Sequence, residues 1–185
     1  LGLLFFYYTA DGDLALGVAQ GVAPFANGAV DWTHVAITAT LSGSGNTTFK
    51  IYKNGSVIGP VMVADVTEAN HANYVASHPT HPGIVLGTYM SASTLSSPNP
   101  LYGINTGDFL DDFCLHAAAL DDDAIAAIYN SGTPINLLAD SGDYDNSGDV
   151  VLYYKFNGAY DSGCITDSHG TSNATGGSFS TESAT

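Results

Sequence analysis

Asn54-Gly55 stands between two apolar runs, Thr48 to Lys53 and Ser56 to Val63, and this constrains the chain more than any other feature. A two-residue hairpin needs positive φ at both central positions, which side chains of L configuration resist. Asn followed by Gly is the pair that accepts it most readily. Two strands must then leave the turn antiparallel, with alternate side chains on alternate faces. The same pattern recurs along the chain. Leu3 to Tyr8 and Leu14 to Val18 flank an Asp11-Gly12 turn, and Trp32 to Leu41, Ile84 to Met90, Asp108 to His116 and Val150 to Phe156 read as further strands. Alternation puts Trp32, His34, Ala36, Thr38 and Thr40 on one face. Val35, Ile37, Ala39 and Leu41 lie on the other, the expected core face.

One stretch breaks the two-residue period. From Asp121, three aspartates precede Ile125, Ile128 and Tyr129, which recur at helical spacing. Carboxylates at a helix start accept the free backbone N–H groups and suit the positive end of the dipole. The spacing predicts a short helix over Asp121–Asn130, stopped by Gly132 and kept from resuming by Pro134. Ser91 to Gly107, polar and proline-bearing, reads as loop, and the Gly/Ser/Thr/Asn-rich chain beyond Gly158 as coil. Many short strands with turn residues at close intervals and one small helix predict an all-β, antiparallel β-sandwich. Residues 1–139 are expected to form it, and residues 140–185 to supply an acidic loop, a last strand and a tail.

Composition narrows the functions. Three basic residues against 18 acidic ones leave a net charge of −15, so there is no basic face for nucleic-acid phosphates. Such acidity suits solubility, salty surroundings or a surface that gathers cations. Apolar runs are too short and too often interrupted to span a membrane. Cys114 and Cys164 lack zinc-ligand spacing; they fit either one disulfide in an exported protein or two buried thiols. The chain opens without Met inside an apolar run, LGLLFFYY, as a strand in mid-domain does, so a piece of a longer or processed protein is expected.

Glycosidase chemistry needs two carboxyl groups across a sugar bond, one with a raised pKa. The chain's glutamates, Glu68 and Glu182, fall in expected loop and tail, and no nucleophile-elbow, zinc-protease or phosphate-loop motif occurs. Catalysis is not expected. Calcium wants several oxygens. Asp143-Tyr144-Asp145-Asn146-Ser147-Gly148-Asp149 carries alternate oxygens and a turn glycine, but Tyr154 stands where an EF-hand has its bidentate acid. Asp143, Asp145 and Asp149 are therefore candidate ligands of a looser calcium loop, against the alternative of an acidic surface turn. Asp11 and Asp13 read as turn residues, and His71, His78 and His81 as solvated loop histidines, with His34 on a strand beside Trp32. Tyr7, Tyr8, Tyr52, Tyr74, Tyr89 and Tyr102 offer aromatic surface for a sugar or a protein partner, or serve as core.

Three segments, in order, resemble the laminin-G-like / concanavalin-A-like jelly-roll family. DWTHVAITAT (Asp31 to Thr40) looks like its W-x-H-V-A-x-T strand, and FKIYKNGSVIG (Phe49 to Gly59) like its Y-x-N-G hairpin. GDFLDDFCLHAAALDDDAIAAIYNSG (Gly107 to Gly132) looks like its G-x-I-D-D-V strand followed by the A-L-S-x-x-E-I helix and Y-x-x-G. The likeness covers about Leu1 to Leu138. Beyond it, TPINLLADSGDYDNSGDVVLYYKFNG and DSHGTSNATGG resemble the tails of structural proteins of marine bacteriophages and of bacterial surface proteins. The resemblance implies a jelly-roll whose first strands precede Leu1. It also implies that Asp111 and Asp112 match the family's D-D pair, either as calcium ligands at the sandwich rim or as a hydrogen-bonded anchor. The function it implies is a non-catalytic recognition or assembly module of a larger extracellular, cell-surface or virion structural protein. Its partners would be other chains of the same assembly, as a homo-oligomer. The alternative is a calcium-dependent glycan-binding domain, and a glycoside hydrolase ranks third.

Overall fold

The computed structural model of the 185-residue chain describes residues 4–8, 14–18, 31–41, 47–64, 88–90, 98–103, 110–157, 164–170 and 173–175. These residues are mostly short antiparallel strands with one short helix. Among them, no helix is long and apolar enough to cross a membrane. The chain divides into two compact units, residues 1–82, 119–136 and 141–145 in the first and 83–118, 137–140 and 146–185 in the second.

The hairpin sets the first unit. Asn54 and Gly55 adopt φ of 48° and 77°, the positive pair that the type I′ turn requires. They join β4 (Thr47–Lys53) to β5 (Ser56–Ala64), and β3 (Val35–Leu41) pairs with the other edge of β4, giving the order β3-β4-β5. The β4–β5 register slips between Phe49 and Ile51, opposite a stretch that contains Gly59-Pro60. Pro60 has no N–H to give the ladder, which is why the strand bulges there. A separate pair, β1 (Leu4–Tyr8) with β2 (Leu14–Val18), runs antiparallel in unbroken register.

β3 begins at Val35, so Trp32 and His34 precede the strand, and Trp32 is 69% exposed. Opposite Ile37 and Ala39, Ile51 and Phe49 are buried, but on β3 the expected core face is only half-buried at Val35 and Ile37 and is exposed at Ala39. The other face is covered as well. Thr38 and Tyr52 are buried there, because α1 (Asp122–Tyr129) plants its first turn on it. Thr47, Leu120, Ala124, Ile125 and Tyr144 are the other buried residues of this unit among those described.

Asp121 caps α1 as its position predicts: its backbone is extended and its Oδ1 accepts the Ala124 N–H at 2.8 Å. The helix stops two residues before Gly132, the expected stop. Asn130 takes the left-handed conformation, its N–H donates to the Ala126 carbonyl, and its side-chain Nδ2 donates to the Thr133 carbonyl at 3.2 Å. Ser131 and Gly132 follow with φ of 55° and 85° in a 3₁₀ turn. An asparagine that bonds locally tolerates this backbone and ends the helix by itself.

The second unit holds three strand pairs. β6 (Thr88–Met90) pairs with β7 (Pro98–Gly103), inside the stretch expected to be loop. Two prolines masked β7 in the sequence, and its register is correspondingly broken between Thr88 and Tyr89. β8 (Phe113–His116) pairs with β9 (Val150–Tyr154), and Val151 bulges out of the ladder, 47% exposed. Phe113 stacks on Tyr154, and Tyr154 meets Phe156 edge-on.

Part of the tail is also structured, contrary to the expected coil. β10 (Cys164–Ile165) pairs with β11 (Ala174–Thr175). Asp167, 4% exposed, supplies the reason. Its Oδ1 accepts the N–H groups of Tyr153 and His169, each at 3.0 Å, while its own N–H donates to Asn173 Oδ1 at 3.0 Å. The Ser168 N–H adds a bond to the Tyr153 carbonyl. One buried carboxylate thus ties the tail to β9 and closes the loop between β10 and β11. Cys114 is a free, half-buried thiol, and burial pushes its pKa up to about 12, which holds it in the protonated form.

Candidate functional site

Three segments of the first unit meet around a cleft of about 420 Å³. The hairpin turn brings Asn54 and Ser56, the outer side of α1 brings Asp123, Tyr129 and Asn130, and the turn after Ser141 brings Asp143. Each is placed by a local rule. Asn54 and Ser56 flank the tightest point of the hairpin. Asp123 and Asn130, seven residues apart, stand on one face of the helix, with Ala126 and Ala127 between them as a low floor. Asp143 stands at the tip of a turn closed by paired backbone bonds between Ser141 and Tyr144, at 2.8 and 3.1 Å. Tyr144, fully buried, pegs that turn to the core.

Helix and hairpin approach closely here. A Cβ on Gly55 would stand 3.1 to 3.2 Å from Tyr129 and Ala126, so only glycine lets the two elements meet. Asn54 also bonds to the residue before β3: its N–H donates to the His34 carbonyl at 2.9 Å, and its Oδ1 accepts the His34 N–H at 3.0 Å. The His34 ring, expected beside Trp32, stacks on Tyr129 with centroids 6.1 Å apart. With two carboxylates, amide and hydroxyl groups and the carbonyl end of α1, the cleft attracts hydrogen-bond donors and repels anions.

A second cleft, of about 500 Å³, lies where the start of α1 meets the sheet, beside Thr38, Thr40, Lys50 and Tyr52. Asp122 Oδ1 accepts from both Lys50 Nζ and the Tyr52 hydroxyl at 2.7 Å. These two bonds hold the Asp122 carboxyl below its ordinary range, and the Asp122 bond raises Lys50. Tyr52, one of the tyrosines expected as aromatic surface or as core, is 1% exposed and spends its hydroxyl on this tie.

The calcium candidates read from the sequence belong to both units. Asp143 and Asp145, both exposed, belong to the first, and Asp149 to the second, where its carboxylate accepts the Asn146 Nδ2 at 3.3 Å. Asp111 and Asp112 stand together before β8, linked by the Asp112 N–H to Asp111 Oδ1 at 3.1 Å. Asp112 has φ of 50° and its Oδ1 accepts the hydroxyl of buried Tyr153 at 2.9 Å, which is an anchoring geometry. Desolvation, and then the Asp112 charge, raise the Asp111 pKa. Among the described residues no three His, Cys, Asp or Glu side chains gather as a metal site would need. Asp11, Asp13, Glu68, His71, His78, His81 and Glu182 lie outside the described residues.

Asp123, Asn130 and the Gly55–Tyr129 contact were not singled out from the sequence, although the Asn-Gly turn and the family-like helix both were. The chain matches no protein-family model, no curated protein and no solved structure.

Proposed function

We propose that this chain is a non-catalytic recognition module of a larger extracellular, cell-surface or virion structural protein, and that its ligand is a glycan. The fold we assign is the laminin-G-like, concanavalin-A-like jelly-roll. The order of its three motifs, the antiparallel sheets and the capped helix support that assignment. The observation that carries the ligand is the cleft between hairpin and helix, where Asp123, Asp143, Asn54 and Asn130 converge beside Tyr129. Sugar hydroxyls donate to carboxylates and accept from amides, and the C–H face of a pyranose packs on an aromatic ring. A glycan array read with calcium and again with a chelator tests this. Wild type is expected to bind and the Asp123→Asn/Asp143→Asn double variant to lose at least tenfold. Loss of binding in chelator would assign calcium a part in the site; absence of binding in both conditions would overturn the glycan reading.

A second reading, assembly with other copies of the chain, is favoured by Leu110, Leu115 and Val151 in the second unit. They are 40%, 39% and 47% exposed on an otherwise acidic protein. Light scattering decides it: a mass that falls to the monomer's in Leu115→Lys/Val151→Lys supports assembly, and a monomeric wild type excludes it.

A further inference from the structure

We propose that His34 is an acid-sensitive latch, holding α1 against the β4–β5 turn while neutral and releasing it when protonated. The backbone of His34 is fixed to the turn by the reciprocal bonds with Asn54, so its ring has little freedom to move away. On the other side the ring lies against Tyr129, its plane tilted by 23°. Tyr129 itself is hemmed in by Gly55. Within this packing Nδ1 is buried and makes no hydrogen bond. A neutral imidazole carrying its proton on Nε2 tolerates that, because a bare Nδ1 lone pair forgoes only one acceptor bond. Protonation places a charged N–H at the same point with nothing to receive it, and a buried charge without a partner is among the costliest groups in a protein.

None of the described residues offers relief. The charged groups on the packed elements are Asp31 on its own approach, Lys50 and Lys53 on β4, and Asp121, Asp122 and Asp123 at the start of α1. The one ion pair among the described residues is Lys50–Asp122, which leaves His34 without a carboxylate. Burial alone lowers the His34 pKa from its ordinary value. A depressed folded-state pKa favours the neutral form, so this contribution to stability is complete above about pH 6.5 and lost as pH falls through the folded value. That window lies above the range in which carboxylates titrate. The latch stands on the geometry of the first unit and holds whether or not the cleft takes a glycan.

Hydrogen exchange of the whole chain, corrected for the intrinsic pH dependence, tests it without any ligand. His116→Gln is used in every sample, since burial also lowers the pKa of His116. Between pH 7.5 and 5.5, protection of the Ile128, Tyr129 and Asn130 amides is expected to drop severalfold, toward a ceiling of about tenfold set by one free imidazole, while Ile37 and Ile51 in the sheet hold. The drop is expected to vanish in His34→Phe, which stacks but cannot charge. Should that variant fail to fold, NMR titration of the wild-type imidazole decides. A midpoint below that of the same histidine in the urea-unfolded chain supports the latch. A midpoint equal to or above it, or an unchanged pH response in His34→Phe, overturns it.

Discussion

Gly55 shows how much one absent methyl group can decide. Its φ of 77° suits glycine, and the space a side chain would need is already filled by Tyr129 and by the Ala126 backbone. Gly55→Ala is therefore expected to cost about 1–3 kcal/mol, the sum of left-handed strain and forced displacement of the helix. Thermal unfolding measures the loss, and cleft binding should suffer with it. Asp112 is a different case. Its left-handed backbone and its bond to Tyr153 act together, so the residue the family likeness offers as a ligand serves here as a clasp. Such a role was one of the two alternatives open in the sequence; the bond that favours it comes from Tyr153, 41 positions away, and no local pattern predicts that partner.

Among the elements, what could be read from sequence follows how local each determinant is. The β4–β5 hairpin and the start of α1 were legible because Asn54-Gly55 and Asp121 act on neighbouring backbone groups. β7 was not, because Pro98 and Pro100 signal loop and its pairing with β6 supplies the rest. The β10–β11 pair was hidden for a similar reason, since a polar, glycine-rich composition says coil and only Asp167 overrules it. Asp167→Ala is expected to destabilise the second unit by about 2–4 kcal/mol, because two N–H groups lose a charged acceptor. Asp167→Asn keeps an oxygen at the same place and should cost clearly less. Denaturant titration of the two variants separates the tie from mere bulk. The cleft was legible only in pieces: its hairpin and helix each had a signature, but their approach depends on Gly55, Tyr129 and the Ser141–Tyr144 turn together.

For the whole molecule, charge outweighs any single bond. A net charge of −15 means carboxylates repel one another throughout, and Lys50–Asp122 is an exposed pair that offsets little of it. Raising salt from 0.05 to 1 M shrinks the screening distance from above 10 Å to about 3 Å. The Tm is therefore expected to rise with sodium chloride, even as the Lys50 pair weakens; a falling Tm would show that ion pairing dominates. The same scarcity of cations has a practical side. With no arginine, trypsin can act only after Lys50, Lys53 and Lys155. Of those bonds Lys50–Ile51 lies within β4, laced to a neighbour on each edge, where a protease cannot draw out the extended segment it needs until the strand opens. Digestion at Lys50 thus becomes a clock for the opening of the central strand.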